Sequence, residues 1–492
     1  MKITIDRNNP TPVYAQICQQ IRAGIFDGSL VDGFLLPSER KLAAEIGVHR
    51  NTVTRAYMEL KSEGLIEARQ GQGYRIRYRS IFEEMEHKGQ KKKAVHWEAL
   101  IEDRYENIRS SFDQLYSMSY EEDMVPFGGG VAAREPYPAE EIAEYFEKAL
   151  KSSTYFYSPY QGDPDLRREI VKLLDSRGIR VREGNIQIFS EANQTMDFLN
   201  SLLLSPGDKV ITPAMMSADV YRSIQLSGGQ LLTVPMDEEG MVCEHLEGLI
   251  EQNRPKYIYV DSSFNNPTGV VLSTRRRQKL LELSYRYRIP ILEEDESSEL
   301  YYDAPIPPSI RSMDTGSNVI YLYSFSLTFR PGLGISFVAA DHSITERLHN
   351  MVSVRLAALD WTPQMIMLEY LRSGQYLSRL DEYRRVCRAK RDRMKEHLQR
   401  LERRFGIRYN VPAGGVYYWV KLPNGMEAGQ LLVRAQKLGV TFIPGQLFDP
   451  SHRTGRDCIR LNFSYPSMDQ IDQGMQMLEE ALAHQKTDKL AL

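Results

Sequence analysis

From residue 121 to residue 485, short apolar runs alternate with stretches that have the spacing of amphipathic helices. The runs include VITPAM, YIYVD, IPILEED and VIYLYSF. Strands that alternate with helices are typical of α/β domains, in which the sheet is mainly parallel. From about Pro412 the pattern changes, and GVYYWVKL and CIRLNFS predict strands of a smaller α+β region. The alternation therefore predicts an α/β domain over 121–485, with a small C-terminal subdomain over about 385–485.

The first 78 residues have a different pattern, and a chain of 492 residues is long enough for two or more domains. TPVYAQICQQIRAGIF predicts a helix with one apolar face. In LLPSERKLAAEIGV, Ser38 is placed to cap a short helix that Gly47 ends. HRNTVTRAYMELKSEG then starts another helix at once. Two short helices joined by a tight turn with glycine predict a helix-turn-helix over 1–78.

The sequence after these helices, LIEARQGQGYRI, predicts two short strands around Gly71, Gln72 and Gly73, which suits a hairpin wing. Residues 1–80 contain 12 Lys and Arg against 8 Asp and Glu, although the whole chain carries a net charge of −3. A basic head on an acidic body indicates contact with nucleic acid.

The second of the two short helices starts with polar and basic residues, His49, Arg50, Asn51 and Thr52. Arginine and asparagine are the residue types that make bidentate contacts with guanine and adenine. A small solvated helical bundle is the alternative interpretation of the segment. The placement of these side chains at a helix start favours a recognition helix.

Residues 79–120 have charge runs with little periodicity and are predicted to be a linker. The four cysteines, Cys18, Cys243, Cys387 and Cys458, have no paired spacing, so neither a disulfide framework nor a zinc site is expected. No apolar run approaches the roughly 20 residues of a membrane-spanning helix, and the first residues do not resemble a signal peptide. We therefore expect a cytoplasmic protein without a membrane partner.

The head resembles the GntR family of winged helix-turn-helix repressors, through VYAQI, LPSERKLAAEIGV, TVTRAY, EGLI and GQGY. The resemblance implies that double-stranded operator DNA is the partner. It also implies which residues contact DNA: Ser38, Arg40, His49, Arg50, Asn51, Thr52, Gln70, Gly71, Gln72 and Gly73. His49 stands where many relatives carry Ser or Thr, which changes the helix cap.

The body resembles fold type I aminotransferases, through YSPYQGDPDLRREIVKLL, LLSPGDKVITP, SSFNNPTGVVLS, LEEDESSELYY, YSFSLTFRPGLG, PAGGVYYWVKLP and IRLNFS. That fold is an α/β/α sandwich with a small C-terminal subdomain. Joined to a GntR head, the body has the layout of the MocR subfamily of transcription regulators. This layout implies a homodimer, with pyridoxal 5'-phosphate as the family cofactor.

The family lysine that binds the cofactor covalently falls on Leu327, and no lysine lies between Lys279 and Lys390. A Schiff base requires a primary amine, so no catalytic lysine and no covalent cofactor are predicted in this motif. The other cofactor contacts have changed as well: Gly334 replaces the phosphate arginine, Glu191 a glycine, Ser217 the stacking ring, and Glu296 a tyrosine. Arg330 is a doubtful replacement for that arginine. Even non-covalent binding of pyridoxal phosphate is therefore doubtful.

Some positions of the predicted cofactor or effector pocket keep side chains that suit a ligand. Glu294 replaces the aspartate that pairs with the cofactor ring, and Arg460 matches an arginine that binds a substrate carboxylate. The full predicted pocket comprises Ala192, Asn193, Asn266, Glu294, Ser324, Ser326 and Arg460. Structural roles stay open, since the serines can cap backbone groups and Arg460 can pair with Glu191, Glu294 or Glu296.

Three functions remain in competition. The first is a DNA-binding transcription regulator whose aminotransferase-like body is catalytically inactive and senses a small molecule, either a carboxylate or a vitamin B6 compound. The second is an active pyridoxal phosphate-dependent aminotransferase with a DNA-binding head, which would require an amine at Leu327. The third is a scaffold that senses nothing. The sequence favours the first.

Overall fold

The computed structural model describes residues 3–77 apart from 8, 27–28 and 70–72, then residues 100, 117 and 121, and residues 123–488 apart from 131–138, 153–156, 330–331 and 424. The chain divides into two compact units, Met1–Asp103 and Arg104–Leu492. Most of the predicted linker lies outside the described residues. None of the described helices combines the length and the apolarity needed to cross a membrane.

In the described residues of the first unit there are three helices and a two-stranded antiparallel hairpin. Its elements are α1 (Val13–Phe26), α2 (Glu39–Ile46), α3 (Arg50–Ser62), β1 (Ile66–Arg69) and β2 (Gly73–Ile76). Ser38 caps α2, since its side chain accepts a hydrogen bond from the Lys41 amide. Gly47 ends α2 in the left-handed conformation, with φ of 66°, which glycine adopts without steric cost. Both caps agree with the sequence prediction.

The apolar faces of the three helices meet in one core. Tyr57 is buried in it and donates a hydrogen bond to the Pro37 carbonyl oxygen at 2.8 Å. Among the apolar residues of these helices, Tyr14 and Ile46 are only partly buried. Others are fully buried, among them Ile17, Ile21, Ile25, Leu42, Val53 and Leu60.

The second unit is an α/β domain, which confirms the predicted fold class. Its helices are α4 (Ala139–Ser152), α5 (Pro164–Ser176), α6 (Ala192–Leu203), α7 (Ala218–Leu226), α8 (Leu246–Asn253), α9 (Thr274–Tyr287), α10 (Ile310–Met313), α11 (His342–Arg355), α12 (Trp361–Arg372), α13 (Gln375–Phe405), α14 (Ala428–Lys437) and α15 (Met468–Asp488). Its strands are β3 (Val125–Pro126), β4 (Ile186–Phe189), β5 (Lys209–Pro213), β6 (Gln230–Val234), β7 (Met236–Asp237), β8 (Gly240–Met241), β9 (Tyr257–Asp261), β10 (Ile291–Asp295), β11 (Val319–Ser324), β12 (Ser336–Ala339), β13 (Arg408–Tyr409), β14 (Tyr417–Lys421), β15 (Val440–Thr441), β16 (Ile443–Pro444) and β17 (Cys458–Asn462).

The large sheet has seven strands in the order β4-β12-β11-β10-β9-β5-β6. Strands β6, β5, β9, β10 and β11 are parallel, and β12 runs antiparallel to both of its neighbours. In the register of β9, β10 and β11, Asp261 lies beside Glu294, and Glu294 beside Leu322. The carboxyl ends of these strands therefore share one edge, where ligands of open α/β sheets bind.

A smaller four-stranded antiparallel sheet, in the order β13-β14-β17-β16, belongs to the C-terminal part of the chain. The runs that predicted it, GVYYWVKL and CIRLNFS, form β14 and β17. Trp419 of β14 pairs with Arg460 of β17 in the register. This sheet thereby places Arg460 and Tyr417 among the residues that line the cleft of the second unit.

A buried ion pair ties β9, β10, α9 and α10 together. Arg277 of α9 and Glu293 of β10 both have fully buried side chains, with 3.8 Å between the Arg277 nitrogen and the Glu293 oxygen. Arg277 also donates to the Leu272 carbonyl oxygen at 2.8 Å and to Ser262. Glu293 accepts from the backbone amides of Ile310 and Arg311, at 2.9 and 2.8 Å. Both charges are thus fully satisfied by hydrogen bonds, as burial requires.

We expect Arg277→Ala to lower the free energy of unfolding by about 3–5 kcal/mol, because it leaves the Glu293 charge buried without its partner. Arg275→Ala is the matched control on the same helix; its side chain is 71% exposed, so the loss should stay within about 0.5 kcal/mol. Urea unfolding of the full-length variants measures both. Equal losses for the two variants would contradict the role given to the buried pair.

Candidate functional site

The start of α3 presents the polar side chains that the sequence assigns to DNA. His49 is the N-cap of this helix, and its Nδ1 accepts a hydrogen bond from the Asn51 amide at 3.2 Å. Arg40, His49, Arg50 and Asn51 are exposed, whereas Thr52 is partly buried. The imidazole thus performs the capping that Ser or Thr performs at many helix starts.

Arg50 is oriented by an acidic residue of the preceding helix. Its Nε and one terminal nitrogen donate to the same carboxylate oxygen of Glu39, at 3.1 and 3.0 Å. The Arg50 side chain is still 54% exposed, while that of Glu39 is only 15% exposed. A charge-assisted pair of this kind restricts the guanidinium without removing it from solvent.

The predicted wing is present as the hairpin of β1 and β2, in which Arg69 pairs with Gly73. Gly73 has φ of 82°, a conformation that favours glycine. Gln70, Gly71 and Gln72, predicted to contact DNA, lie outside the described residues. Their role therefore stays a prediction.

The second unit contains a cleft of about 480 Å³ at the carboxyl ends of the parallel strands. It collects residues that are far apart in the sequence. The residues that line it are Gly130, Glu191, Ala192, Asn193, Ser217, Asp219, Val220, Asp261, Phe264, Asn266, Glu294, Glu296, Ser297, Ser326, Leu327, Gly332, Gly334, Val416, Tyr417 and Arg460. Six of the seven predicted pocket residues are among them; Ser324 is not.

Ser324, predicted to belong to the pocket, makes its described contacts within the turn that follows β11. It is the last residue of β11 and is fully buried. Its Oγ lies 2.6 Å from the Ser326 Oγ and accepts a hydrogen bond from the Ser326 amide at 3.1 Å. The Ser324 hydroxyl thereby stabilises the tight turn that follows β11.

Leu327, the residue that the sequence predicts at the position of the family lysine, lies at the cleft wall. Its side chain is 5% exposed and packs into the main hydrophobic core of the unit. No lysine belongs to the cleft lining within the described part of the chain. Lys390, the next lysine along the chain, is buried and donates to the Ser464 carbonyl oxygen at 2.8 Å.

Glu191 and Gly334 face each other at the N-terminal end of α6. Glu191 is the N-cap residue, and its side chain makes no capping hydrogen bond to the helix. Its carboxylate instead accepts a hydrogen bond from the Ser326 hydroxyl at 3.3 Å. A Cβ atom added to Gly334 would overlap this carboxylate. The carboxylate thus fills the space that a side chain at position 334 would need.

These residues do not fit pyridoxal phosphate. An anion at the N-terminal end of α6 would meet the Glu191 carboxylate, and Gly334 has no side chain to neutralise it. Arg330 lies outside the described residues. At Leu327 there is no amine for a Schiff base. Both the covalent and the phosphate contact of the cofactor are therefore missing from the described residues of the cleft.

Carboxyl groups dominate the polar lining. The pKa of Glu294 is raised to about 7: removal from water and the charges of Asp219 and Asp295 raise it, and a hydrogen bond from the Tyr259 hydroxyl opposes them. Removal from water and the Glu294 charge also raise the pKa values of Asp261 and Glu296. Like charges in a poorly hydrated site disfavour one another, so the cleft holds protons well into the neutral range.

Arg460 is the basic residue among the described lining residues, and it is 1% exposed. Its guanidinium donates to Asn266 Oδ1 at 2.8 Å and to the carbonyl oxygen of Gly128 at 3.0 Å. It also lies over the ring of Tyr417, 4.2 Å from the centroid. These contacts fix the fork of the guanidinium at the cleft wall, in a setting that suits a carboxylate.

Sequence reasoning missed two acidic lining residues, Asp219 and Asp261. Asp261 ends the apolar run YIYVD, so its place at the carboxyl end of a parallel strand was a usable signal. Asp219 lies in the first turn of α7, where only the tertiary fold brings it near Glu294.

The raised pKa of Glu294 makes a testable contribution to stability. Its proton is bound more tightly in the folded state than in the unfolded chain, so this contribution is complete below a pH of about 4.3 and is lost as pH rises through about 7. Glu294→Gln cannot titrate. As the pH rises from about 5 to about 8, the free energy of unfolding of the parent should therefore fall by about 1–3 kcal/mol more than that of the variant.

Urea unfolding of the full-length protein at the two pH values measures the difference. The control is Glu346→Gln, because Glu346 is exposed to solvent on α11. A Glu294→Gln variant whose pH profile matches both parent and control would refute the raised pKa.

Comparison with known proteins matches each of the two units to a protein family. Residues 123–478 match the family described as aminotransferase class I and II, and residues 13–76 match bacterial regulatory proteins of the gntR family. The chain is 28% identical over 480 residues to the uncharacterized HTH-type transcriptional regulator YisV of Bacillus subtilis (strain 168), which covers 96% of each chain. It is 31% identical over 382 residues to the 2-aminoadipate transaminase of Thermus thermophilus, which covers 76% of this chain and 94% of the relative.

Among solved structures, the chain is similar to the kynurenine aminotransferase of Pyrococcus horikoshii in complex with PMP. The TM-score is 0.74 at 27% identity, and the match covers 79% of this chain and 98% of that one. Over most of its length the chain belongs to the class I and II aminotransferases, a pyridoxal phosphate-dependent family, and it carries a GntR-type DNA-binding domain ahead of that part.

Proposed function

We propose that the protein is a transcription regulator whose aminotransferase-like unit senses a small molecule without catalysing transamination. The proposal rests on Leu327, which the sequence predicts at the position of the catalytic lysine and whose side chain packs into the core. An alkane side chain has no lone pair to attack an aldehyde, so the family reaction has no covalent starting point in this motif.

Two neighbouring features support loss of catalysis. Glu191 brings a negative charge to the end of α6, and Gly334 provides no charge to balance a phosphate. A regulator that had lost only its lysine would keep these phosphate contacts. The joint change indicates that the site has been remodelled as a whole.

A ligand-binding role is supported by what the cleft retains. It has about 480 Å³ of space, with Arg460 and Asn266 held together on one wall. Concave sites with a few fixed polar groups are typical of small-molecule binding. A carboxylate bound by the Arg460 guanidinium would give the unit an effector.

We place the DNA contacts at the start of α3, at Arg40 of α2 and at the β1–β2 wing. The exposed side chains of His49, Arg50 and Asn51 lie where a recognition helix presents its base contacts. A two-fold dimer of the aminotransferase-like unit would present two such heads to paired half-sites, as symmetric regulators do. The expected partner is thus double-stranded operator DNA.

The purified full-length protein should hold no covalently attached cofactor when it is incubated with pyridoxal phosphate and treated with borohydride. Mass spectrometry of the intact chain measures the adduct. Leu327→Lys should still show no transaminase turnover above the parent, because Glu191 and Gly334 also oppose phosphate binding. A borohydride-fixed cofactor in the parent, with turnover of an amino acid, would refute the proposed loss of catalysis.

Arg50→Ala should weaken binding to specific DNA by about 1–3 kcal/mol for each base that the arginine side chain reads in the parent complex. The probe is duplex DNA that the parent protein selects from a random pool, and affinity is measured by gel shift at fixed salt. Lys61→Ala, in the last turn of the same helix, should bind like the parent. If Arg50→Ala binds the selected DNA as the parent does, α3 is not the recognition helix.

A further inference from the structure

The Glu191 carboxylate occupies a place that depends on glycine at position 334. Gly334 is not among the residues with positive φ, so its backbone conformation suits any residue. A side chain at position 334 would have no room, because its Cβ atom would overlap the Glu191 carboxylate. The two positions are therefore complementary in volume.

The carboxylate also has an electrostatic reason to be there. Glu191 is the N-cap of α6, a helix of 12 residues, and the first backbone amides of a helix favour a nearby negative charge. Ser326 adds a hydrogen bond to the same carboxylate at 3.3 Å. Burial works against these contacts by raising the pKa of the Glu191 carboxyl group. The Glu191 side chain nevertheless occupies the helix end that would otherwise favour an anion from a ligand.

A phosphate group would enter a cleft whose described lining has more acidic than basic side chains, and its charge would further disfavour ionisation of those carboxyl groups. Besides Glu191, the described lining includes Asp219, Asp261, Glu294 and Glu296. Arg460, with its guanidinium near Asn266, is the basic residue of the described lining. Repulsion between a phosphate and these carboxylates is strongest where water is partly excluded, as it is here.

We propose that Glu191 is the specificity-determining residue of this cleft, and that its carboxylate, seated against Gly334 at the N-terminal end of α6, closes the cleft to ligands that carry a phosphate group. The effector class is then a small organic molecule without a phosphate. This inference rests on the proposed function, in which the aminotransferase-like unit senses a ligand without covalent chemistry.

The test uses two probes that differ only in a phosphate group, pyridoxamine and pyridoxamine 5'-phosphate. Neither carries an aldehyde, so neither depends on a lysine for binding. Calorimetric titration of the full-length protein compares the parent with Glu191→Gly, which removes the carboxylate and its volume. Glycine is well tolerated at an N-cap, so the variant should fold.

We expect Glu191→Gly to bind pyridoxamine 5'-phosphate at least about tenfold more tightly than the parent does, which corresponds to about 1.4 kcal/mol. Its affinity for pyridoxamine should change less than about threefold, or about 0.7 kcal/mol. Glu191→Gln keeps the volume and removes the charge, so it should show a smaller gain for the phosphorylated probe. Glu238→Gln, an exposed glutamate of the same unit, is the matched control and should behave like the parent.

A parent that binds pyridoxamine 5'-phosphate as tightly as Glu191→Gly does would overturn the inference. So would the absence of any gain in both Glu191 variants, each of which must first show the thermal unfolding transition of the parent. If only Glu191→Gly fails to fold, the result for Glu191→Gln decides. Failure of the proposed function has a different readout, a borohydride-fixed cofactor on the parent, so the two failures are distinguishable.

Discussion

The parallel run of β9, β10 and β11 is the constraint on which the candidate site depends. Neighbouring parallel strands end at the same edge of the sheet, so Asp261, Glu294 and the turn after Ser324 meet although many residues separate them. The buried pair of Arg277 and Glu293 holds β10 against the helices that flank it. A ligand in this cleft would therefore contact side chains that lie at the ends of these strands.

That wall differs in charge from what a phosphorylated cofactor needs. A Schiff-base site combines an amine with cations for a phosphate, whereas this cleft combines Leu327 with several carboxyl groups whose pKa values are raised. Glu191 occupies the anion-favouring end of α6. The unit has the fold of the aminotransferase family, while acidic side chains outnumber basic ones in the described lining of its cleft.

The sequence anticipated much of the fold because both units follow strong local rules. Ser38 and Gly47 bound α2 as their cap propensities predict, and the four apolar runs became β5, β9, β10 and β11. Most pocket residues were also predicted. Ser324 lies beside the cleft lining, where its hydroxyl accepts a hydrogen bond within a local turn. Asp219 was missed because nothing in the first turn of α7 indicates which cleft it faces.

The sequence by itself determined that position 327 has no amine. A leucine there cannot form a Schiff base in any conformation, since its side chain lacks nitrogen. The sequence also determined the order of helices and strands, because periodicity and caps are local. Only the tertiary structure decided which groups act on one another. The Glu191 carboxylate fills the space beside Gly334, and Arg460 bonds to Asn266, because packing brings together residues more than a hundred positions apart.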